Sequence, residues 1–265
     1  MNKITKKTPA EIATLRVAGG HLATILDDLA SMAEPGIATA DLDRRARKLA
    51  KELDVEPILL GYKPNFADRP YPAATCISVN DCVQHGIPSD TVVLNEGDVV
   101  NIDMSIRHEG MVVDAGKTVG VGEISVEARK LLAVTEEALA LGIKQAKPGN
   151  RVGDISAAIG DLVDKRGLSV VEVLCGHGVG YAIHEPPNIL NFGRPGTGPK
   201  IEVGHVYAIE PIVNLGGKDV YFDDDGDGYS VYTEDGSWSA HFEHTVAITE
   251  EGPEILTKLT RSASA

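Results

Sequence analysis

Asp103, Asp114, His177, Glu210 and Glu243 are the residues of this chain whose types could act together chemically. Each lies in or beside a short apolar run that reads as a β-strand. A carboxylate in a strand interior is costly without a partner. Four acids and one imidazole can be neutralised together by two divalent cations. That donor set suits hydrolysis by a two-metal site.

Asp103 and Asp114 flank Arg107-His108-Glu109-Gly110, which reads as a tight turn. Across a two-residue hairpin loop, the numbers of facing residues sum to an odd value. Asp103 and Asp114 therefore share a face, directly opposite or diagonal, with Cβ atoms about 4.5–8 Å apart. Two like charges so placed repel unless a cation lies between them. The plainer alternative is one acid facing solvent on an exposed strand. His177 stands in Cys175-Gly176-His177-Gly178-Val179-Gly180, after the apolar run Ser169–Leu174. Its flanking glycines let the backbone bend and a ligand approach closely. A lone histidine is more often a satisfied core or surface residue, and the spacing to His184 is not a helical zinc motif. Only the company of acids makes His177 a candidate ligand. Glu210 precedes Pro211, so its backbone is extended. Glu243 leads into His244-Thr245-Val246. His85, in Gln84-His85-Gly86-Ile87-Pro88, ends a strand pattern. It reads as an ordinary loop histidine or as one that holds substrate or moves a proton beside the acids.

Two other patterns compete. Asp223-Asp224-Asp225-Gly226-Asp227-Gly228, ending at Glu234, spaces its acids like a calcium loop. Neither flank reads as a helix, and Ser230 stands where an apolar residue is expected, so it reads as a polar hairpin. Cys175 near His177 could suggest a thiol nucleophile, but an apolar strand end is the ordinary place for a buried cysteine. The chain has no G-x-S-x-G elbow, Walker A loop or dinucleotide fingerprint.

The elements that must position these residues come in two echoing sets. Helical patterns run roughly over Pro9–Met32 and Thr39–Leu53, then over Val126–Gln145 and Val152–Arg166. Pro35-Gly36 followed by Asp41-Leu42 matches Pro148-Gly149 followed by Asp154-Ile155. Gly97-x-Val99-x-x-Ile102-Asp103 matches Gly204-x-Val206-x-x-Ile209-Glu210. In each half a second acid follows in another strand, Asp114 and then Glu243. A period this long excludes a solenoid. It predicts one α/β (α+β) domain over 1–265, made of two pseudo-symmetric halves. Short flexible termini are expected at about 1–8 and 256–265.

The net charge of −14 argues against a nucleic-acid surface and an anionic membrane surface. Three cysteines make no disulfide framework and suit a reducing compartment. The basic start is followed by no apolar run, and no stretch of eighteen apolar residues occurs. A cytoplasmic protein is expected.

Ser78-Val79-Asn80, His85-Gly86-Ile87-Pro88, Asn101-Ile102-Asp103, Gly176-His177-Gly178-Val179-Gly180, Ile209-Glu210-Pro211 and Phe242-Glu243-His244-Thr245 occur in this order. Together, over about Thr8 to Glu254, they resemble the type I methionine aminopeptidases. The resemblance implies the pita-bread fold, a curved antiparallel sheet covered by helices. It implies two divalent ions (Co, Mn, Fe or Zn) on Asp103, Asp114, His177, Glu210 and Glu243, with Asp114 and Glu243 bridging. It gives Glu210 the traffic of the proton as activated water attacks the first peptide bond. His85 would meet the substrate amine or leaving nitrogen, and His184 the scissile carbonyl oxygen. Tyr62, Tyr71, Cys76, Ile183 and Tyr229 would line the methionine pocket. The implied substrates are nascent polypeptide N-termini with a small second residue, met at the ribosome, and a monomer is expected.

Departures from the family concern the pocket. Ile183 replaces the usual Phe, Tyr229 appears where Trp is usual, and Pro64–Pro70 resembles a short insertion. Val113 and Ala115-Gly116 differ from the commoner flanks of the bridging acid. The alternative is an Xaa-Pro-type or other dimetal exopeptidase of the same fold. Against it, the chain has no extra N-terminal domain of the proline-specific enzymes, and the His184–Glu210 interval leaves no room for the type II helical insertion.

Overall fold

The computed structural model describes residues 3–64, 67–224 and 226–259. Among these, the chain runs through α1 (Pro9–Ser31), α2 (Thr39–Glu52), β1 (Glu56–Pro57), β2 (Cys76–Val79), β3 (Cys82–Gln84), β4 (Val99–His108) and β5 (Met111–Gly120). It continues through α3 (Val126–Gln145), α4 (Val152–Lys165), β6 (Ser169–Val170), β7 (Gly176–Gly178), β8 (Glu185–Ile189) and β9 (Val206–Ile209). The last elements are β10 (Ile212–Asn214), β11 (Val220–Phe222), β12 (Val231–Thr233), β13 (Ser239–His241), β14 (His244–Thr249) and β15 (Gly252–Ile255). The helices lie where the apolar periodicity predicts, within a residue at each end.

Local chemistry explains the helix limits. Thr8 caps α1, its hydroxyl accepting from the Glu11 N–H while the Glu11 carboxylate accepts from the Thr8 N–H. Such a reciprocal cap contributes about 1 kcal/mol. Leu15, Leu22, Ile25 and Leu29 recur on the inner face of α1 and are fully buried. Each contributes about 1.5–3 kcal/mol by leaving water. Ser125 caps α3 through the Ala128 N–H.

The two halves each have a core. In the first, α1 and α2 pack Leu15, Leu22, Leu42 and Ala46 against Val100, Ile102, Met104 and Val112 of β4 and β5. In the second, α3 and α4 pack Leu131, Val134, Ile155 and Ile159 against Tyr207, Ile209, Val246 and Ile248 of β9 and β14. All named strand pairs are antiparallel, with β4 beside β5 and β9 beside β14. Gly97 and Gly204, matched by the repeat, have φ of 93° and 90° at the turns entering β4 and β9.

Three expectations need correction or limits. The apolar run Ser169–Leu174 is not one strand: β6 ends at Val170, and Val173 is exposed. The Val171 N–H still donates to the Ile212 carbonyl of β10, and beyond it Val173 and Leu174 line a cavity. Within the ends expected to be flexible, Lys7, Leu256 and Thr257 are buried. The Lys7 N–H donates to the Gly204 carbonyl and the Leu256 N–H to the Thr245 carbonyl, so backbone pairing ties both stretches to the body. Residues 1–2 and 260–265, Asn65 and Phe66 of the expected insertion, and Asp225 of the acidic loop lie outside the described residues. The flanks of that loop are β11 and β12, antiparallel partners, so it joins a hairpin.

Candidate metal centre and substrate pocket

The β4–β5 hairpin closes through Glu109 and Gly110, with φ of 47° and 80°. Two successive positive φ values match the right-handed twist of the flanking strands, and glycine takes one at little cost. The register pairs Ser105 with Asp114 and Asp103 with Gly116. Asp103 and Asp114 are therefore diagonal neighbours on one face. The Ser105 hydroxyl donates to Asp114 Oδ1 at 2.7 Å, and Thr245 bonds both the N–H and the carbonyl of Asp114. The second half brings its acids to the same place. Glu210 follows β9, and Glu243 sits between β13 and β14, its N–H donating to the Gly116 carbonyl at 2.8 Å.

His177 in β7 completes the group. Its Nε2 lies 3.4 Å from Glu210 Oε1 and 3.8 Å from Asp114 Oδ2. Nδ1 is 3.0 Å from the Gly178 carbonyl, which can only accept. The ring proton therefore sits on Nδ1 and the Nε2 lone pair faces the acids. Such an anchored imidazole is the usual posture of a metal ligand. Ligand atoms of Asp114, His177 and Glu243, all buried, lie within 4.8 Å of one another.

The electrostatics are those of a site waiting for positive charge. Burial pushes Asp103, Glu210 and Glu243 well above the ordinary carboxylate range, and their mutual repulsion adds to it. Burial raises Asp114 too, partly offset by Ser105. Burial also pulls His177 down to about 4, so its imidazole is neutral. Glu243 Oε1 is buried without a hydrogen-bond partner. An orphaned carboxylate oxygen beside an anchored lone pair fits divalent cations.

A cavity of about 540 Å³ opens over the cluster. All twelve residues singled out from sequence line it: the four acids and one imidazole above with His85, His184, Tyr62, Tyr71, Cys76, Ile183 and Tyr229. At its apolar end the Tyr71 and Tyr229 rings meet edge to face, centroids 5.0 Å apart. The Tyr71 hydroxyl donates to the Gly86 carbonyl at 3.0 Å and the Tyr229 hydroxyl to the Arg69 carbonyl. With the hydroxyls so engaged, Tyr71, Tyr229 and Cys76 pack as an apolar cluster. Asp43 of α2 accepts from the Ala74 and Thr75 N–H groups, which seats the segment entering β2 and Cys76.

His85 and His184 are held neutral, each drawn to about 4 by burial first and by a neighbouring histidine second. The His184 ring packs edge to face on His177 at 4.6 Å, and its Nδ1 is 3.2 Å from the Tyr62 hydroxyl. Cys175 is pushed up to about 11 by burial and by Glu210, so it is a thiol, unsuited as a nucleophile.

Sequence reading passed over Ser105, Gln84 and His241. Gln84 lines the cavity, and His241 is fully buried behind it. The one signal for His241 was its place two residues before Glu243. Ser105 carried the signal of strand alternation, two residues from Asp103 on the same face.

Metallopeptidase family M24 matches residues 13–250. A methionine aminopeptidase of Aquifex aeolicus is 45% identical over 253 residues, covering 94% of this chain and 96% of the relative. The crystal structure of a methionine aminopeptidase from Thermotoga maritima superposes with a TM-score of 0.92 at 41% identity, over 97% of this chain and 100% of that one. A prolidase from Pyrococcus furiosus shares the fold, with a TM-score of 0.74 at 23% identity over 97% of this chain and 66% of that one. The two-halved architecture is the pita-bread fold these structures have in common. The chain belongs to metallopeptidase family M24, among its methionine aminopeptidases.

Proposed function

We propose that this metallo-aminopeptidase removes the initiator methionine from nascent chains with a small second residue, holding two divalent cations on Asp103, Asp114, His177, Glu210 and Glu243. The observation that carries the reading is the buried cluster of Asp114, His177 and Glu243, with its orphaned carboxylate oxygen, at the floor of the cavity. Bound there, divalent cations supply Lewis acidity, lowering the pKa of water and polarising the amide. An all-oxygen and single-imidazole set accepts Mn, Fe, Co or Zn.

The chain's own residues do the rest. Tyr71, Tyr229, Cys76, Tyr62 and Ile183 form a slot of aromatic edges and soft sulfur that fits a thioether side chain. Burial makes Glu210 basic, so it can take a proton from water and return it to the leaving amine. A Tyr62 hydroxyl donating to Nδ1 would leave the proton of neutral His184 on Nε2, a donor for the carbonyl oxygen as charge develops. Neutral His85 accepts from, or donates to, the substrate nitrogen.

The reading also supports action in the cytoplasm, where nascent chains emerge, by a monomer acting near the ribosome. Among the described residues no helix is long and apolar enough to cross a membrane. The test is release of methionine from Met-Ala-Ser by protein supplied with Mn(II), Co(II) or Fe(II), beside an Xaa-Pro peptide. Cleavage of Met-Ala-Ser is expected. Cleavage of the Xaa-Pro peptide alone would replace this reading by the proline-specific one.

A further inference from the structure

His241 is the one fully buried imidazole at this centre that the ligand set leaves unused. Its Nε2 has no hydrogen-bond partner, and it stands 3.8 Å from Glu210 Oε2 and 3.9 Å from Glu243 Oε2. The His241 backbone is firmly held. The Thr118 hydroxyl accepts from the His241 N–H at 3.0 Å and donates to its carbonyl at 2.8 Å, and the Asn101 amide donates to the same carbonyl at 3.0 Å.

The other ring nitrogen decides where the proton is. Gln84 Nε2 lies 3.0 Å from His241 Nδ1. The orientation of that amide follows from its other contacts. Gln84 Oε1 accepts from the His85 N–H at 3.4 Å, which turns the amide N–H₂ toward His241. His241 Nδ1 must accept, so its proton resides on Nε2, facing the two glutamates. Asn101 Oδ1, 3.4 Å from Nδ1, is the longer contact on that nitrogen. Gly116 makes the arrangement possible. A Cβ there would stand 2.7 Å from His241 Cε1 and 2.9 Å from Nδ1.

We propose that Gln84 holds His241 with its Nε2–H facing Glu210 and Glu243, so that the imidazole orients the two glutamates that hold the cations. The inference rests on the ligand reading above. It ties Gln84 of the first half to both acids of the second through a neutral ring. A shift of about 1 Å in either carboxylate brings it to hydrogen-bond length. Gln84 and His241 are positioning residues, acting on the ligands and not on the substrate.

The experiment is calorimetric titration of Mn(II) into chelator-stripped full-length protein, with circular dichroism on each variant. His241→Ala and Gln84→Met should each bind Mn(II) about 10-fold more weakly, the usual loss when a partner behind a ligand is removed. The double variant should be no weaker than His241→Ala alone, because the two act as one unit. His241→Gln, which restores an N–H donor, should recover most of the affinity. Gly116→Ala should mimic His241→Ala by displacing the ring. With Met-Ala-Ser, kcat should fall in His241→Ala while KM holds, a split that general loosening of the fold would not give. Wild-type Mn(II) affinity in folded His241→Ala overturns the proposal. So does wild-type affinity in Gln84→Met, which decides the matter if His241→Ala does not fold. Loss of one bound ion in both His241→Ala and His241→Gln would also overturn it, making the ring nitrogen a ligand. Glu243→Ala is the control. If it keeps both ions, the ligand reading itself fails.

Discussion

Glu243 and His177 show how the centre is set at the level of single residues. One has a buried oxygen with nothing to bond, the other a lone pair fixed by the Gly178 carbonyl, and both face the same small volume. On the proposed ligand set, removing Glu243 takes away a ligand and not merely its support. Glu243→Ala should therefore lower methionine release by more than about 100-fold, beyond the loss expected for a partner behind a ligand. Peptidase assays at saturating Mn(II) check this, and unchanged activity would refute the metal centre. Clustered acids also make the metal-free fold the less stable one. Mn(II) at about 100 times its Kd should add about 2.7 kcal/mol, seen as a higher melting temperature that chelator reverses. A melting temperature indifferent to both additions contradicts the reading. The shared face of Asp103 and Asp114 was legible because hairpin parity is arithmetic, while their diagonal placing needed the register. His241 was not legible, since its role depends on Gln84, far away in the chain, and on the missing side chain at Gly116.

The loop Val179–His184 between β7 and β8 carries Ile183 and His184, and its seat is an element-scale device. Lys7 and Glu185 form a buried ion pair at 2.8 Å, with the Thr5 hydroxyl also bound to Glu185. Glu185 in turn accepts the Tyr181 and Ala182 N–H groups, so the N-terminal segment holds the loop from below. Burial pushes Glu185 up, but the hydrogen bonds from Lys7 and Thr5 more than offset it and hold the carboxyl below its usual range. The same burial pulls Lys7 down, and the short contact with Glu185 keeps the charged pair intact. Lys7→Ala leaves a buried carboxylate without its countercharge. It should destabilise the protein by about 3–5 kcal/mol, and Lys7→Met with Glu185→Gln should recover much of the loss. Urea melts of the three proteins decide; a loss under about 1 kcal/mol for Lys7→Ala would show the pair to be dispensable. Helices were legible from apolar spacing and their Pro-Gly stops. The run Ser169–Leu174 misled because its composition suits a strand, while its backbone bonding to β10 goes no further than Val171.

At the scale of the whole molecule, the repeat was readable as paired acids and matched glycines, and the structure adds a core for each half and one cavity lined from both halves. Stability across that body should depend on pH through histidines kept neutral inside it. His205, buried and bonded through Nδ1 to the Tyr207 hydroxyl, is pulled below the ordinary imidazole range by burial. The unfolded chain takes up that proton near pH about 6.5, before the folded chain does. The contribution of His205 is therefore present above that pH and is lost as pH falls toward its lowered folded value. Melting temperatures should drop from pH 7.5 to 5, with a shallower slope in His205→Asn. Parallel slopes would assign the acid sensitivity elsewhere. The proposed division of ligands between halves has a further consequence in time. Asp103 and Asp114 leave the ribosome well before Glu243. On that ligand set a growing chain cannot gather its cations until the second half has followed the first, so it stays inert while only the first half has emerged.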